Sequence, residues 1–323
     1  MRILFIIIIV GLLILVVNII LLVLIIKLIW RCSLPPKHDV NLKARIVGGV
    51  SVSNITDYQF AAAIVEIREE STVDLLLCGA TVISRRWLLT AAHCIDYFED
   101  NEDPKESVYI TVGNLDWRKG NKHNLLSWVY HEEFDSSTLD NDIGLIRVKQ
   151  ILSKQYEQAI SLASENYEYK PHTKARIVGW GHTNYSFLHL PSTEMLNRAD
   201  IHIIEQRRCV DIYKKFGFTV TDSMFCAGTQ EGGKDACKLD SGGAIFERGL
   251  LIGIISWGHE CAKKDQPGVY VRINCYKNWI METTKKLGAP LNIIKKKSEE
   301  ISTTATYNVT SSGWMLETVS FQD

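Results

Sequence analysis

Three side chains able to hydrolyse an amide in concert occur in the chain in the order His93, Asp142, Ser241. A serine hydroxyl is a weak nucleophile unless a base takes its proton and a carboxylate orients that base. The reaction also needs N–H donors for the oxyanion that develops. His93 follows the apolar run Trp87–Ala92 in the segment Thr90-Ala-Ala-His-Cys94. Asp142 opens the run Asn141-Asp-Ile-Gly-Leu-Ile146, at the start of a strand where a carboxylate can be buried facing a neighbour. Ser241 lies in the tight loop Asp235-Ala-Cys-Lys-Leu-Asp-Ser-Gly-Gly-Ala244. Only tertiary folding can bring the three together. Each taken singly has an ordinary explanation. His93 beside a cysteine reads as a core histidine, Asp142 as a turn or cap residue, and Ser241 before two glycines as a loop.

The joint pattern reverses those explanations. Ile46-Val-Gly-Gly49, the His93 and Asp142 segments, Val178-Gly-Trp-Gly181, Met224-Phe-Cys-Ala-Gly228, the Ser241 loop, Ser256-Trp-Gly258 and Pro267-Gly-Val-Tyr-Val271 follow one another in this order. Together they resemble the chymotrypsin/trypsin family of serine proteases over residues 46–288. The resemblance implies an all-β fold of two six-stranded antiparallel barrels with His93, Asp142 and Ser241 in the cleft between them. It implies an oxyanion hole made by the N–H groups of Leu239 and Ser241, and a primary pocket with Asp235 at its base and Gly258 and Gly268 on its walls. A lone carboxylate there selects Arg or Lys side chains, and glycine walls leave room for them. It implies the bridges Cys78–Cys94, Cys209–Cys226 and Cys237–Cys261. It also implies activation by cleavage after Arg45, with the new Ile46 ammonium paired to Asp240. The sequence departs from the family motif at Leu239, usually glycine, and at Ala244, usually proline. Leucine keeps its N–H but restricts the backbone and fills space, so a catalytically weak homologue acting as a binding module is the alternative function.

The elements that must position these residues read as mainly β. Short apolar runs such as Ala61–Ile67, Ser107–Val112, Asp142–Val148 and Leu250–Trp257 alternate with loops rich in Gly, Asn, Asp and Ser, the texture of a sandwich or barrel. A helical period appears only near the end, where Tyr276, Trp279, Ile280 and Leu287 share a face before Gly288 and Pro290. Residues 289–323 form a polar, Ser/Thr-rich tail expected to be disordered. Residues 31–45 read as a stem or activation peptide.

Residues 3–26 are apolar except for Asn18. Their length suits a membrane-spanning helix better than a secretory h-region of roughly 7–15 residues, so residues 1–30 are expected to be a signal-anchor with the protease domain outside the cell. Lys27, Arg31 and Lys37 lie on the wrong side for the positive-inside rule, a conflict that a long cleaved signal and a secreted protein would remove. Eight cysteines without paired zinc-knuckle spacing point to disulfides in an oxidising compartment. Sequons at Asn54, Asn184 and Asn308 fit that compartment. The two remaining cysteines, Cys32 and Cys275, are expected to bridge stem and domain, the alternatives being an intermolecular bond or lipidation of Cys32.

Apolar residues make up 46% and charged residues 23% of the 323, with a net charge of −1, so the chain is globular and offers no basis for a nucleic-acid partner. The expected partners are protein or peptide substrates with Arg or Lys, protein protease inhibitors, and the membrane through residues 3–26. No metal or organic cofactor is expected. The loop Gly113–Lys122 lacks the paired acidic residues of the family's calcium-binding members, and the triad needs neither.

Overall fold

The computed structural model describes residues 46–68, 74–101, 103–152, 155–181 and 194–291. The expected anchor, stem, Arg45, Cys32, Asn184, Asn308 and the tail beyond residue 291 lie outside these. Among the described residues no helix is long and apolar enough to cross a membrane.

A short strand β1 (Val50–Ser51) leads into the first barrel, made of β2 (Ala61–Glu66), β3 (Leu75–Val82), β4 (Trp87–Thr90), β5 (Val108–Val112), β6 (Asn121–Tyr130) and β7 (Gly144–Val148). They pair in the order β2-β3-β4-β7-β6-β5, and β5 returns to β2 to close the barrel. After β8 (Ser161–Leu162) comes the second barrel, formed by β9 (Lys174–Gly179), β10 (Asn197–Ile203), β11 (Met224–Gly228), β12 (Ala244–Glu247), β13 (Leu250–Trp257) and β14 (Gly268–Arg272). Its order β10-β11-β14-β13-β12-β9 closes through β9 on β10. Closure leaves no strand edge unpaired in either barrel, so the expected pair of six-stranded antiparallel barrels is present. β1 adds to β10, and β8 pairs with β13 in parallel.

Local pattern explains the second barrel. In β10, Ala199, Ile201 and Ile203 are buried while Arg198, Asp200 and His202 face outward, the two-residue period of a half-buried strand. Outward-facing Asp200 is opposite Arg176 in β9, and their side chains meet at 2.6 Å. The inward residues join Ile177, Phe225, Ile245, Ile252 and Tyr270 in one core. β2 instead reads as a continuous apolar run, because Ala61–Val65 are all buried.

Among the described residues, four α-helices lie outside the barrels: α1 (Ala92–Glu99), α2 (Pro104–Ser107), α3 (Gln206–Lys214) and α4 (Ile273–Lys286). The expected late helix is α4, which buries Tyr276 and Ile280, with Leu287 as its C-cap. It ends in a Schellman motif: Gly288, at φ 75°, donates to the Lys285 carbonyl, and Ala289 donates to that of Thr284. This terminus docks on the first barrel, where Trp87 Nε1 donates to the Ala289 carbonyl at 2.7 Å and Arg147 Nη1 to that of Leu287 at 2.6 Å. A helix that follows the second barrel therefore ties it to the first.

Candidate active site

His93 is the second residue of α1, which continues directly from β4. The capping position of this helix is Ala91, whose side chain cannot accept a hydrogen bond, so the first-turn N–H groups need another partner. Asp142 provides it from the loop before β7. Its Oδ1 accepts the His93 backbone N–H at 2.9 Å, and its Oδ2 lies 2.8 Å from His93 Nδ1. Ser256 Oγ donates to the same Oδ2 at 2.5 Å. Asp142 is fully buried, and these donors, with the positive end of the helix dipole, stabilise its charge there. Burial alone would lower the pKa of His93; the Asp142 charge and hydrogen bond, with help from Asp96, more than offset it and hold the imidazole above the ordinary histidine value.

The Ser241 loop is wedged against the same part of the first barrel. Gly79 in β3 donates to the Ser241 carbonyl at 2.8 Å, and Cys94 Sγ lies 3.7 Å from that oxygen. Gly242, at φ 81°, approaches so closely that a Cβ would overlap Thr90 Oγ1 and the Gly79 carbonyl. Only glycine permits this contact. Ser241 thus lies beside the start of α1, with its side chain partly exposed. The expected Cys78–Cys94 and Cys237–Cys261 bridges staple the two sides of this junction, and Cys209–Cys226 ties α3 to β11.

The turn Cys237–Asp240 is closed by the Asp240 N–H on the Cys237 carbonyl at 3.0 Å. Its third residue is Leu239, at φ 72°. A turn of this kind asks for glycine at that position, so the departure noted in the sequence imposes a left-handed backbone on a leucine. Asp240 is buried and accepts from the N–H groups of Gly181 at 2.7 Å and Cys237 at 3.0 Å. Burial pushes its carboxyl up to about 7.

Behind Ser241 opens a pocket of about 240 Å³, lined by Asp235, Ala236, Ser256, Trp257, Gly258, Gly268 and Tyr270 among others. Asp235 is 3% exposed, and its Oδ2 accepts from the Ala262 N–H at 3.0 Å. Among the described residues, its Oδ1 and the hydroxyl of Tyr270 are buried without a hydrogen-bond partner. Burial, with a smaller contribution from the Asp240 charge, raises the Asp235 carboxyl to about 7. A Cβ on Gly268 would come within 2.7 Å of Asp235 Oδ1 and 2.8 Å of Tyr270 Oη, so a side chain there would close the base. Gly258 is a milder restriction, since its Cβ would make only ordinary contacts.

The structure therefore brings together Asp142 with His93, and Ser241 with Asp235, Gly258 and Gly268. Ile46 is fully buried and belongs to the same second-barrel core as Ala236, and the Val47 carbonyl accepts the Asp235 N–H at 3.2 Å. Asn54 is exposed and caps a short 3-10 turn by accepting the Thr56 N–H. Cys275 is exposed and unpaired among the described cysteines. Ser256 and Tyr270 carry site roles that the sequence reading missed. Both lie in motifs already noted, Ser256-Trp-Gly258 and Pro267–Val271, where their spacing to other site residues was the available signal. The loop Gly113–Lys122 brings cations of its own: Arg118 pairs with Asp116 at 3.0 Å and Glu194 at 2.7 Å, and Lys119 with Asp116 at 3.1 Å.

A sequence profile of the family described as Trypsin matches residues 46–280. The chain is 37% identical over 207 residues to Trypsin Blo t 3 of Blomia tropicalis, covering 63% of this chain and 75% of that protein. It is 34% identical over 239 residues to alkaline trypsin C of Manduca sexta, covering 73% and 90%. It is 31% identical over 256 residues to Transmembrane protease serine 9 of Rattus norvegicus, covering 76% of this chain but 23% of that longer protein. With two closed barrels and this cleft between them, the chain belongs to the trypsin family and is a serine endopeptidase.

Proposed function

We propose that the enzyme cleaves peptide bonds on the carboxyl side of Arg or Lys, with Ser241 as nucleophile, His93 as general base and acid, and Asp142 as the orienting carboxylate. The observation that carries this reading is Asp235 Oδ1, a buried oxygen without a hydrogen-bond partner among the described residues, in a pocket that Ser241 also lines. Leaving it unpaired costs roughly 1–3 kcal/mol. A guanidinium or ammonium supplies donors and opposite charge at once. As Ser241 attacks the scissile carbonyl, His93 takes its proton, and the N–H groups of Leu239 and Ser241 receive the oxyanion. Collapse expels the amine, which takes the proton from His93, and water then repeats the sequence to free the acid. Fluorogenic peptides ending in Arg, Lys, Phe or Ala test the specificity. Asp235→Ser is expected to lower Arg cleavage by several orders of magnitude while Ser241 still reacts with a small sulfonyl fluoride. Unchanged Arg preference would overturn the pocket assignment.

Cleavage after Arg45 is the proposed activation step. Asp240 has no ion pair with a side chain among the described residues, and an uncompensated buried carboxylate is costly. The Ile46 ammonium released by cleavage supplies the missing charge, and Ile46 already packs in the same core as Ala236, within the loop that carries Asp240.

Residues 3–26 are proposed to anchor the protein with its protease domain outside the cell, secretion after signal cleavage being the alternative. Their length and apolar character support the anchor. Cys275, exposed on α4, is the proposed partner of Cys32, a bridge that keeps the cleaved domain attached to its stem. A non-reducing gel of the cleaved protein tests it: one species is expected, and two fragments without reductant refute the tether. Asn54, Asn184 and Asn308 are the proposed glycan sites; at Asn54 exposure supports the assignment.

A second reading, a weakly catalytic binding module, is favoured by one observation, the left-handed Leu239 at the oxyanion turn. Hydrolysis of Arg peptides by protein cut after Arg45 separates the two.

A further inference from the structure

The loop that carries Asp142 is strained and is held from the opposite barrel. Between β6 and β7, Leu139 and Asn141 both adopt left-handed backbone, with φ 57° and 55°. They flank Asp140, two residues before Asp142. Such conformations persist in non-glycine residues only where surrounding contacts over-determine them. Part of the restraint is local: Asp135 accepts from Ser137 and Thr138 and exchanges backbone bonds with Leu139 and Asp140. The rest crosses the cleft. Thr221 Oγ1 and Ser223 Oγ, just before β11 in the second barrel, each donate to Asp140 Oδ1 at 2.7 Å. The Asn141 N–H reaches the same oxygen at 3.1 Å. Tyr276 of α4 donates from its hydroxyl to Asn141 Oδ1 at 2.9 Å, and Asn141 Nδ2 donates to the Glu133 carbonyl at 2.9 Å.

We propose that Asp140 is a positioning residue: with Thr221 and Ser223 it latches the Asp142 loop to the second barrel and sets the register of Asp142 against His93. The inference rests on the reading of His93 and Asp142 as catalytic partners. Asp142 takes one donor, Ser256, from the second barrel and the other two from α1 of the first. Its carboxylate must therefore hold a position fixed relative to both barrels. Residues 139–141 are the joint where that position is set, and Asp140 is where both hydroxyls from the second barrel converge. What the latch needs from Asp140 is an acceptor oxygen, not a charge. An asparagine side-chain carbonyl can do the same, whereas alanine cannot. A mispositioning of the order of 1 Å at a catalytic group can cost about a hundredfold in rate.

The test compares Asp140→Ala, Asp140→Asn and the double variant Thr221→Val/Ser223→Ala in protein cleaved after Arg45. It follows the His93 imidazole by NMR titration alongside kcat and KM for an Arg peptide. The titratable groups around that ring are Asp142 and, on α1, Asp96. Asp140→Ala and the double variant are expected to lower kcat by ten- to a hundredfold at nearly constant KM and to bring the His93 titration down toward the ordinary histidine value. Asp140→Asn is expected to behave as the native protein in both readouts. Should Asp140→Ala fail to fold, the double variant, which leaves the loop sequence intact, carries the test. A native His93 titration in both disrupting variants overturns the latch, as does an Asp140→Asn variant that behaves like Asp140→Ala, since charge would then be the cause. The titration does not depend on turnover. A native protein that hydrolyses nothing yet shows the predicted His93 shifts would fail the proposed function and leave the latch standing.

Discussion

Asp142 holds His93 at two points, its Oδ1 on the backbone N–H of the first turn of α1 and its Oδ2 on the ring Nδ1. One carboxylate therefore both caps a helix whose own capping residue, Ala91, cannot do so and orients the side chain that the helix presents. The two tasks can be separated. In Asp142→Asn the amide oxygen can still cap α1, but the amide nitrogen would face Nδ1 and favour the wrong tautomer. The expected outcome is a nearly native melting temperature with kcat lower on the order of ten-thousandfold. Asp142→Ala loses the cap as well and should melt measurably lower, a cap being worth about 1 kcal/mol. Equal melting temperatures for the two variants would refute the capping role.

Binding of a small aromatic amidine to the pocket should depend on pH through Asp235. Burial raises this carboxyl to about 7, so below that pH the empty pocket is neutral and a cation must displace a proton. Affinity is expected to strengthen as pH rises through about 7, with proton release visible in calorimetry across buffers of different ionisation enthalpy. The stability term has the opposite sign. A carboxyl raised in the folded state stabilises fully below its unfolded value, about 4, and that contribution is lost as pH climbs through the folded value. Amidine affinity that stays flat from mildly acid to mildly alkaline pH would contradict this.

Hydrolysis should show an acid limb set by His93. The base must be neutral to accept the Ser241 proton, and the Asp142 carboxylate favours the charged ring. The midpoint of kcat/KM against pH is therefore expected above about 6.5, the ordinary histidine value. In stability the raised value acts the other way: the His93 contribution is full below about 6.5 and fades as pH passes the folded value. An acid limb at or below the ordinary value would show that Asp142 does not govern the ring.

Leu239→Gly should relieve the left-handed leucine at the proposed oxyanion turn. The expected gain is about 1–2 kcal/mol in the native state, reduced by the extra freedom glycine gives the unfolded chain. If the leucine side chain crowds the approach to the scissile bond, as proposed, turnover of peptides should rise and inhibition by protein inhibitors of trypsin should tighten. If neither changes, the substitution is silent. A glycine variant that hydrolyses where the native protein does not would establish the binding-module reading.

Arg45→Gln should yield a precursor that does not hydrolyse Arg peptides. With Ile46 still joined to residue 45 there is no α-ammonium to pair with Asp240, whose buried charge then opposes the ordered loop. Activity equal to the native enzyme without cleavage elsewhere would end the zymogen proposal.

The motifs that follow one another from Ile46-Val-Gly-Gly49 to Pro267–Val271 identify the family, and the resemblance they carry implies the two barrels, where the short apolar runs alone say only sandwich or barrel. Those features are local, so the sequence carries them directly. The pairings that the resemblance implied for six cysteines were also found, because each cysteine lies in a motif with a defined place in the fold. What the sequence by itself did not reveal was how distant segments meet: Ser256 on Asp142, the Tyr270 hydroxyl in the pocket of Asp235, and Thr221 and Ser223 on Asp140. A hydroxyl at a given position reads the same whether it faces water or a buried carboxylate. Its role depends on which oxygen another barrel brings within 3 Å, and only closing two barrels against each other decides that.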